Sequence, residues 1–382
     1  MARELHGLTY RASPIPEMAH EKVNIMAQKA GDSRINWVDY AKGICIILVV
    51  LMHSTLGVEK AAGAESWLHG FITWAKPFRM PDFFLISGLF LASSIDLKWR
   101  EYFDSKVLHF AYFYILWMSI QFAFKAYGLH LSAGATSVLQ DYALGFIEPF
   151  GTLWFIYMLA VFFVVAKLTR NLPPVLVFAA AAVLQIASIQ TGYLLVDEFA
   201  ARFVYFFAGY WLASNVFYFA AKVNELPAPT IFVWLVIWGV FNTYMVYKNF
   251  AQLAGISLAL GFVGAGAVIS TGVFLSKLNF AKPIRYAGEN SIVIYLAFFV
   301  FMAFTRGLLL KFELISNLGV VALLTTAAGI GGSVMLFWLT RNTKLDFLFR
   351  RPAWAKLAPQ TEQSEFKSKM KFEQSNVLTI AE

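Results

Sequence analysis

The chain has 382 residues, of which 59% are hydrophobic and only 14% are charged; its mean hydropathy is +0.62 and its formal net charge is +8. Soluble globular domains are about half apolar and a quarter charged, so this composition excludes an ordinary soluble protein. Long apolar blocks with short polar connectors predict an all-α, polytopic membrane protein. The lone Cys45 excludes an intrachain disulfide, and without a CxxC or histidine-rich motif we predict no metal site.

Ten apolar segments are candidate membrane helices, since a spanning helix needs about 20 residues. They lie at 38–57, 79–95, 107–124, 152–168, 174–191, 201–220, 230–247, 253–275, 291–310 and 318–340. The second is short and is consistent with a broken or re-entrant helix. We divide the chain into a cytoplasmic N-terminal segment (1–35), a membrane domain (36–341) and a cytoplasmic tail (342–382), whose polar end is predicted to be disordered.

The basic residues predict the orientation of these helices. When the N-terminus is placed in the cytoplasm, most of the 31 lysines and arginines fall in cytoplasmic segments, as the positive-inside rule requires. An even number of spans then places both termini in the cytoplasm. The positive net charge is therefore explained by topology, and the expected partner is membrane lipid rather than nucleic acid.

The first span carries two residues that are costly in hydrocarbon unless they are paired or face a wet cavity. Lys42 and His53 are eleven residues apart, which places them on one face of a helix and about 16 Å apart along its axis. Lys42 then lies near the cytoplasmic interface and His53 near or beyond mid-membrane. The structural alternatives are a histidine that only bonds a neighbouring helix and a lysine that only anchors the span.

The stretch KPFRMPDFFLISGLFLASS, residues 76–94, brings two charged residues to the mouth of the second span. We expect Pro81 to lie in the first turn of this helix, where proline is favoured. Arg79 and Asp82 are three residues apart and are able to form a local ion pair. Alternatively, because His53 approaches the same leaflet, Asp82 is a candidate to orient that histidine and raise its basicity.

Polar and aromatic residues also mark the starts of three later spans. In DSKVLHF, Lys106 and His109 are three residues apart and share a predicted helical face on the cytoplasmic side. In GTLWFIY, Trp154 is typical of an aromatic belt. In GENSIVIYL, Asn290 is typical of a helix cap, and Tyr295 is expected in the core with its hydroxyl bonded to a partner.

In combination, these segments resemble the bacterial acyltransferase family 3 membrane proteins, especially the fucose 4-O-acetylase-like branch. The spacing of Lys42 and His53 in DYAKGICIILVVLMH is similar to that family's Arg/Lys-x10-His pattern. The stretches MPDFFLISGLF, GTLWFIYML, FFAGYWL and GENSIVIYL resemble its further motifs and follow in the same order over about residues 39–300. Each motif is weak alone, but the ordered set is specific.

The chain departs from the family pattern at three places. Lys106-x-x-His109 stands where the family has Arg-x-x-Arg, a motif associated with the CoA side. Asp82 stands where an apolar residue is common, and Ala297 stands where the ninth-span motif often ends in histidine.

The resemblance implies about ten core helices and the transfer of an acyl group, usually acetyl, from cytoplasmic acyl-CoA to a hydroxyl of a cell-surface saccharide or its lipid-linked precursor. It implies a bacterial inner membrane location, acyl-CoA as co-substrate without a permanently bound cofactor, and an essential histidine. We assign His53, Asp82 and Arg79 to catalysis, Lys42, Lys106 and His109 to acyl-CoA binding, and Trp154, Asn290 and Tyr295 to acceptor binding.

A proton-coupled secondary transporter or exporter of a sugar or small organic acid is the alternative function. Intramembrane His, Arg and Asp residues serve proton coupling as readily as catalysis. Inverted repeats with broken helices would favour a transporter, and no convincing repeat is found in the sequence. The ordered motifs therefore favour the acyltransferase.

Overall fold

The computed structural model describes residues 35–357, apart from the side chains of residues 125–137, and this part of the chain is all-helical without a β-strand. The helices are α1 (Asn36–Ala62), α2 (His69–Gly88), α3 (His109–Leu144), α4 (Trp154–Leu168), α5 (Pro174–Ile186), α6 (Leu194–Trp211), α7 (Ala213–Glu225), α8 (Ala228–Tyr247), α9 (Ile256–Leu278), α10 (Lys282–Glu289), α11 (Ser291–Lys311) and α12 (Leu318–Thr340). A short helix, Trp99–Tyr102, and a π-helical segment, Phe103–Leu108, run directly into α3. The predicted all-α membrane fold is confirmed.

Within the described residues, seven helical segments are long and apolar enough to cross a membrane, or eight when the bent pair α6–α7 is counted as one span. Two more predicted spans correspond to α2 and α5. Of these, α2 carries Lys76, Arg79 and Asp82, and α5 has only 13 residues. The predicted number of about ten spans is therefore approximate.

The second predicted span begins earlier than expected, at His69 rather than at residue 79. Pro81 therefore lies inside α2, not in its first turn. The helix extends backwards because Trp74 and Phe78 continue an apolar face, and both rings pack edge-to-face against Trp238 of α8. Proline is tolerated inside such a helix when neighbouring helices pack around the interrupted backbone.

The sixth predicted span, 201–220, is two helices rather than one. The axes of α6 and α7 differ by 75° across the break at Leu212. The sequence of α7 is amphipathic: Ala220 and Val223 are buried, whereas Lys222 and Glu225 form an exposed pair 2.8 Å apart.

Glycines allow α2 and α6 to cross with their backbones in contact. A Cβ atom on Gly88 would lie 2.1 Å from the Phe206 carbonyl oxygen, and one on Gly209 would lie 2.0 Å from the Leu85 carbonyl oxygen. Small residues at such crossings are the usual means by which membrane helices pack closely. This crossing holds α2 and α6 side by side, and both helices contribute charged residues to one cavity.

After α12 the chain folds back across the start of α3. Residues 341–357, here called the C-terminal strap, contain the 3₁₀ segments Lys344–Leu348 and Ala353–Ala355. Arg351 of the strap forms a buried ion pair with Asp104, with a nitrogen–oxygen distance of 2.7 Å. Trp117 also donates a hydrogen bond to the Leu348 carbonyl. The strap is thereby anchored two residues from Lys106.

Candidate active site

A cavity of about 160 Å³ opens beside His53 in the half of the bundle that contains the C-terminal part of α1. We call it the His53 cavity. Its polar lining side chains come from five helices and from Thr152, which lies just before α4; they are His53, Arg79, Thr152, Trp154, Glu198, Arg202 and Tyr295. A histidine within the membrane span therefore faces a cavity, as an intramembrane titratable residue is expected to do.

The His53 ring is held in the cavity wall by aromatic packing. Its centroid lies 5.5 Å from that of Phe298 of α11, with an angle of 37° between the planes. The side chain is half-buried, so one edge of the ring is covered by the bundle while the cavity exposes the remainder. A neutral imidazole in such a position is able to accept a proton from a hydroxyl group in the cavity.

Three charged side chains surround the same space. Arg79 of α2 is buried, and its Nη1 donates a long hydrogen bond of 3.4 Å to the Ile72 carbonyl. On α6, Arg202 Nε lies 3.1 Å from a Glu198 carboxylate oxygen, an i,i+4 pair along one helix face. The cavity therefore combines a proton acceptor with two guanidinium groups and one carboxylate.

A second cavity of about 230 Å³, the Lys42 cavity, lies further along the same face of α1. Lys42 and Lys106 line it, as does Ser291. The Lys42 ammonium lies 5.3 Å from the Phe90 ring centroid, and the Lys106 ammonium lies 5.3 Å from that of Phe163. Such contacts hold each cation against an aromatic wall, and the predicted orientation places this cavity on the cytoplasmic side.

The two cavities share a wall formed by Phe83, Phe155 and Tyr295, which line both. We call these three residues the aromatic partition. Phe83 and Phe155 are stacked with centroids 4.5 Å apart and planes 7° apart, and Tyr295 packs edge-to-face on Phe155 at 5.6 Å. These three residues therefore border both the His53 cavity and the lysine-lined cavity.

Hydrogen bonds of Tyr295 fix the partition to the start of α4. Its hydroxyl donates to the Thr152 carbonyl at 2.5 Å and accepts from the Phe155 amide at 3.1 Å. The expectation that this hydroxyl is bonded within the core is met. Trp154, between these two residues, lines the His53 cavity as well.

Asp82 does not join the other charged residues. It is not among the residues that line either cavity, and neither of its buried carboxylate oxygens has a hydrogen-bond partner among the described residues. The expected Arg79–Asp82 ion pair is absent from this part of the chain. The reason is the phase of α2: Arg79, Phe83 and Ile86 line the cavities, whereas Asp82 is buried elsewhere in the bundle.

Two other predicted site residues also lie outside the cavity linings. The π-helical segment that ends at Leu108 alters the angular spacing, so His109 does not follow Lys106 into the Lys42 cavity and packs on Phe110 and Phe113. Asn290 donates a hydrogen bond to the Tyr286 carbonyl at 2.9 Å. It thus completes the end of α10 rather than capping α11 through its side chain.

Sequence reasoning missed Glu198, Arg202 and Phe155. The first two are charges four residues apart in the apolar stretch VDEFAARFVYFF, and the intramembrane-charge criterion applied to His53 also selects them. Glu198 lies before residue 201, where the sixth span was predicted to begin, and Arg202 was counted only as a basic residue at the end of that span. Phe155 carries no such signal, since one phenylalanine among 38 gives no indication of a partition.

The fold and these cavities describe a polytopic membrane protein in which two polar cavities meet inside the helix bundle. A family model for the acyltransferase domain of acyltransferase family 3 matches residues 35–340, and the chain belongs to this family. It is therefore a polytopic membrane protein of acyltransferase family 3.

One relative is the inner membrane protein YcfT of Escherichia coli (strain K12), which is 26% identical over 217 residues. The match covers 50% of this chain and 59% of YcfT, so less than two thirds of that relative is spanned. No solved structure matches the chain.

Proposed function

We propose that the protein is an O-acyltransferase of a bacterial inner membrane, which moves an acyl group, most often acetyl, from cytoplasmic acyl-CoA to a hydroxyl of a cell-surface saccharide or its lipid-linked precursor. The donor enters the Lys42 cavity and the acceptor enters the His53 cavity. The observation that carries this proposal is the aromatic partition, across which a lysine-lined cavity adjoins a cavity that contains a histidine.

The lysines suit an acyl-CoA donor for electrostatic reasons. Lys42 and Lys106 place two positive charges at the cavity that the predicted orientation opens to the cytoplasm. Phosphate groups of CoA are strong partners for such cations, while the narrow thiol-bearing arm of CoA is able to reach inwards along the apolar wall. The acyl thioester is then brought to the aromatic partition, whose residues also line the cavity of His53.

His53 acts as the general base in this mechanism. Its neutral ring nitrogen takes the proton of the acceptor hydroxyl as the oxygen attacks the thioester carbonyl, and a carbon–oxygen bond forms. The carbon–sulfur bond then breaks, and the departing thiolate of CoA takes the proton from the imidazolium. Arg79 places positive charge beside the reacting groups, where it binds the acceptor or the developing oxyanion. Trp154 offers an aromatic surface to the sugar ring.

The first test compares the wild type with His53→Ala and His53→Gln in isolated membranes supplied with acetyl-CoA and a total extract of cell-surface glycans. A positioned general base contributes about 10²–10⁴-fold, so we expect acyl transfer to fall by that amount at unchanged protein level. The readouts are free CoA and base-labile ester on the glycan. Leu56→Ala, an exposed position on the same helix, controls for membrane insertion.

Wild-type rates of ester formation in both His53 variants would remove this residue from the mechanism. If His53-dependent uptake of a sugar or organic acid into sealed vesicles were found in place of ester formation, a proton-coupled carrier would be the better account. The Leu56→Ala variant is expected to behave as wild type in both assays, because its side chain lines neither cavity.

A further inference from the structure

The His53 cavity carries more positive than negative charge. Two guanidinium groups, those of Arg79 and Arg202, line it together with the single carboxylate of Glu198. Arg202 is paired with Glu198, and both side chains are a little more than one-quarter exposed. Arg79 has no acidic partner among the described residues, so one positive charge of the cavity is left uncompensated by that part of the chain.

Arg79 is buried but makes few hydrogen bonds, so some of its N–H groups remain available to a ligand. Its side chain is only 8% exposed, and its one hydrogen bond among the described residues is the 3.4 Å contact of Nη1 with the Ile72 carbonyl. Its Nε–H is buried without a partner. A guanidinium group in a low-dielectric helix bundle is strongly destabilised unless an anion or acceptor approaches it, so the site is built to receive negative charge.

The shape of the group indicates the kind of anion. A guanidinium edge presents two parallel N–H donors that match two oxygens of a carboxylate or a phosphate. Arg202 lines the same cavity as a second cation, and its bond with Glu198 holds the orientation of its side chain. An anion bound between these arginines lies in the same small cavity as His53.

We propose that the acceptor saccharide carries an anionic group, a carboxylate or a phosphate, which Arg79 and Arg202 bind so that a neighbouring hydroxyl is presented to His53. This inference rests on the proposed acyl transfer and names the class of its acceptor. A neutral glycan can accept a hydrogen bond from the Arg79 Nε–H, but it leaves the charge of this buried guanidinium uncompensated and is therefore expected to bind less tightly than an anionic one.

The test identifies the acceptor by its label. Wild-type membranes receive radiolabelled acetyl-CoA and a total extract of glycans and glycolipids, and the products pass through an anion exchanger at neutral pH. We expect the His53-dependent label in the retained, anionic fraction. Reduction of carboxyl groups removes the retention if the anion is a carboxylate, whereas phosphate-cleaving treatment removes it if the anion is a phosphate.

The retained acceptor is then used for kinetics. Loss of a charged hydrogen bond typically weakens binding about ten- to hundredfold, so Arg79→Gln and Arg202→Gln are expected to raise the KM for the acceptor by that factor. The KM for acetyl-CoA is expected to stay within about twofold, because the donor lies across the partition. Arg79→Lys, which keeps the charge, retains part of the affinity and also tests folding. Lys76→Gln, an exposed cation on the same helix, is the matched control.

His53-dependent label found only in the unretained, neutral fraction would overturn the anionic acceptor while leaving the proposed acyl transfer intact. The same conclusion would follow if Arg79→Gln lowered kcat alone and left the KM for the acceptor unchanged, since that result assigns Arg79 to the oxyanion. An absence of His53-dependent label from every fraction would overturn the proposed function itself.

Discussion

At the residue scale, the central feature is the convergence of His53, Arg79 and Tyr295 on one small space. His53 and Arg79 are polar groups inside an apolar bundle, and Tyr295 joins the space to the backbone of α4 through two hydrogen bonds. These residues were recognisable in the sequence because a charge or motif marks each of them. The sequence could not show that Asp82 lies outside both cavities, because the phase of α2 depends on how this helix packs against α1 and α6.

Tyr295→Phe tests the hydrogen-bonded support of the partition. Removing the hydroxyl leaves the Phe155 amide and the Thr152 carbonyl without this buried partner, which costs about 1–3 kcal/mol. We expect a lower unfolding temperature of the detergent-purified protein and a higher rate of acyl-CoA hydrolysis without acceptor, since a looser partition admits water. Tyr244→Phe, at an exposed position, is the control, and an unchanged unfolding temperature and hydrolysis rate in Tyr295→Phe would contradict the supporting role.

At the scale of elements, the sequence predicted helices well and their ends poorly. Hydrophobicity located every span, but the start of α2 at His69 and the 75° bend at Leu212 depend on packing between helices that are distant in sequence. The π-helical segment before α3 has no sequence signal of its own, and it separates His109 from Lys106. The C-terminal strap was likewise hidden, because its docking onto the start of α3 joins residues that are more than 230 positions apart in the chain.

The strap gives the second element-scale prediction. Arg351 reaches Asp104 with two hydrogen bonds of 2.7 Å, one to its carboxylate and one to its carbonyl, and so braces the π-helical segment that carries Lys106. Removing one partner of a buried ion pair costs about 3–5 kcal/mol. We expect Arg351→Gln and Asp104→Asn to raise the KM for acyl-CoA at least about tenfold, measured by CoA release from membranes at saturating acceptor.

The neighbouring Arg350 supplies the control for this prediction. It pairs with Asp346 at 3.4 Å and is more than half exposed. Arg350→Gln therefore removes the same charge from the strap without breaking the ion pair between Arg351 and Asp104. An equal KM for acyl-CoA in Arg350→Gln and Arg351→Gln would contradict the positioning role, because it would show that the charge of the strap matters and not its anchoring.

At the scale of the whole molecule, the two cavities adjoin inside the helix bundle, which is where the proposed transfer takes place. The Lys42 cavity and the His53 cavity adjoin along one face of α1, as the eleven-residue spacing of Lys42 and His53 predicted. The sequence could indicate this order along the helix. It could not indicate that side chains from α2, α4 and α11 meet between them, because that contact joins residues far apart in the chain.

The measurement that tests this account most directly is acyl transfer in sealed membrane vesicles of opposite orientation. Radiolabelled acetyl-CoA, which does not cross membranes, is added outside vesicles that expose either the cytoplasmic or the opposite face, with glycan acceptor enclosed or added outside. The account predicts His53-dependent ester formation only when acetyl-CoA reaches the cytoplasmic face and the acceptor reaches the other. Ester formed only when both substrates share one face would contradict transfer across the aromatic partition.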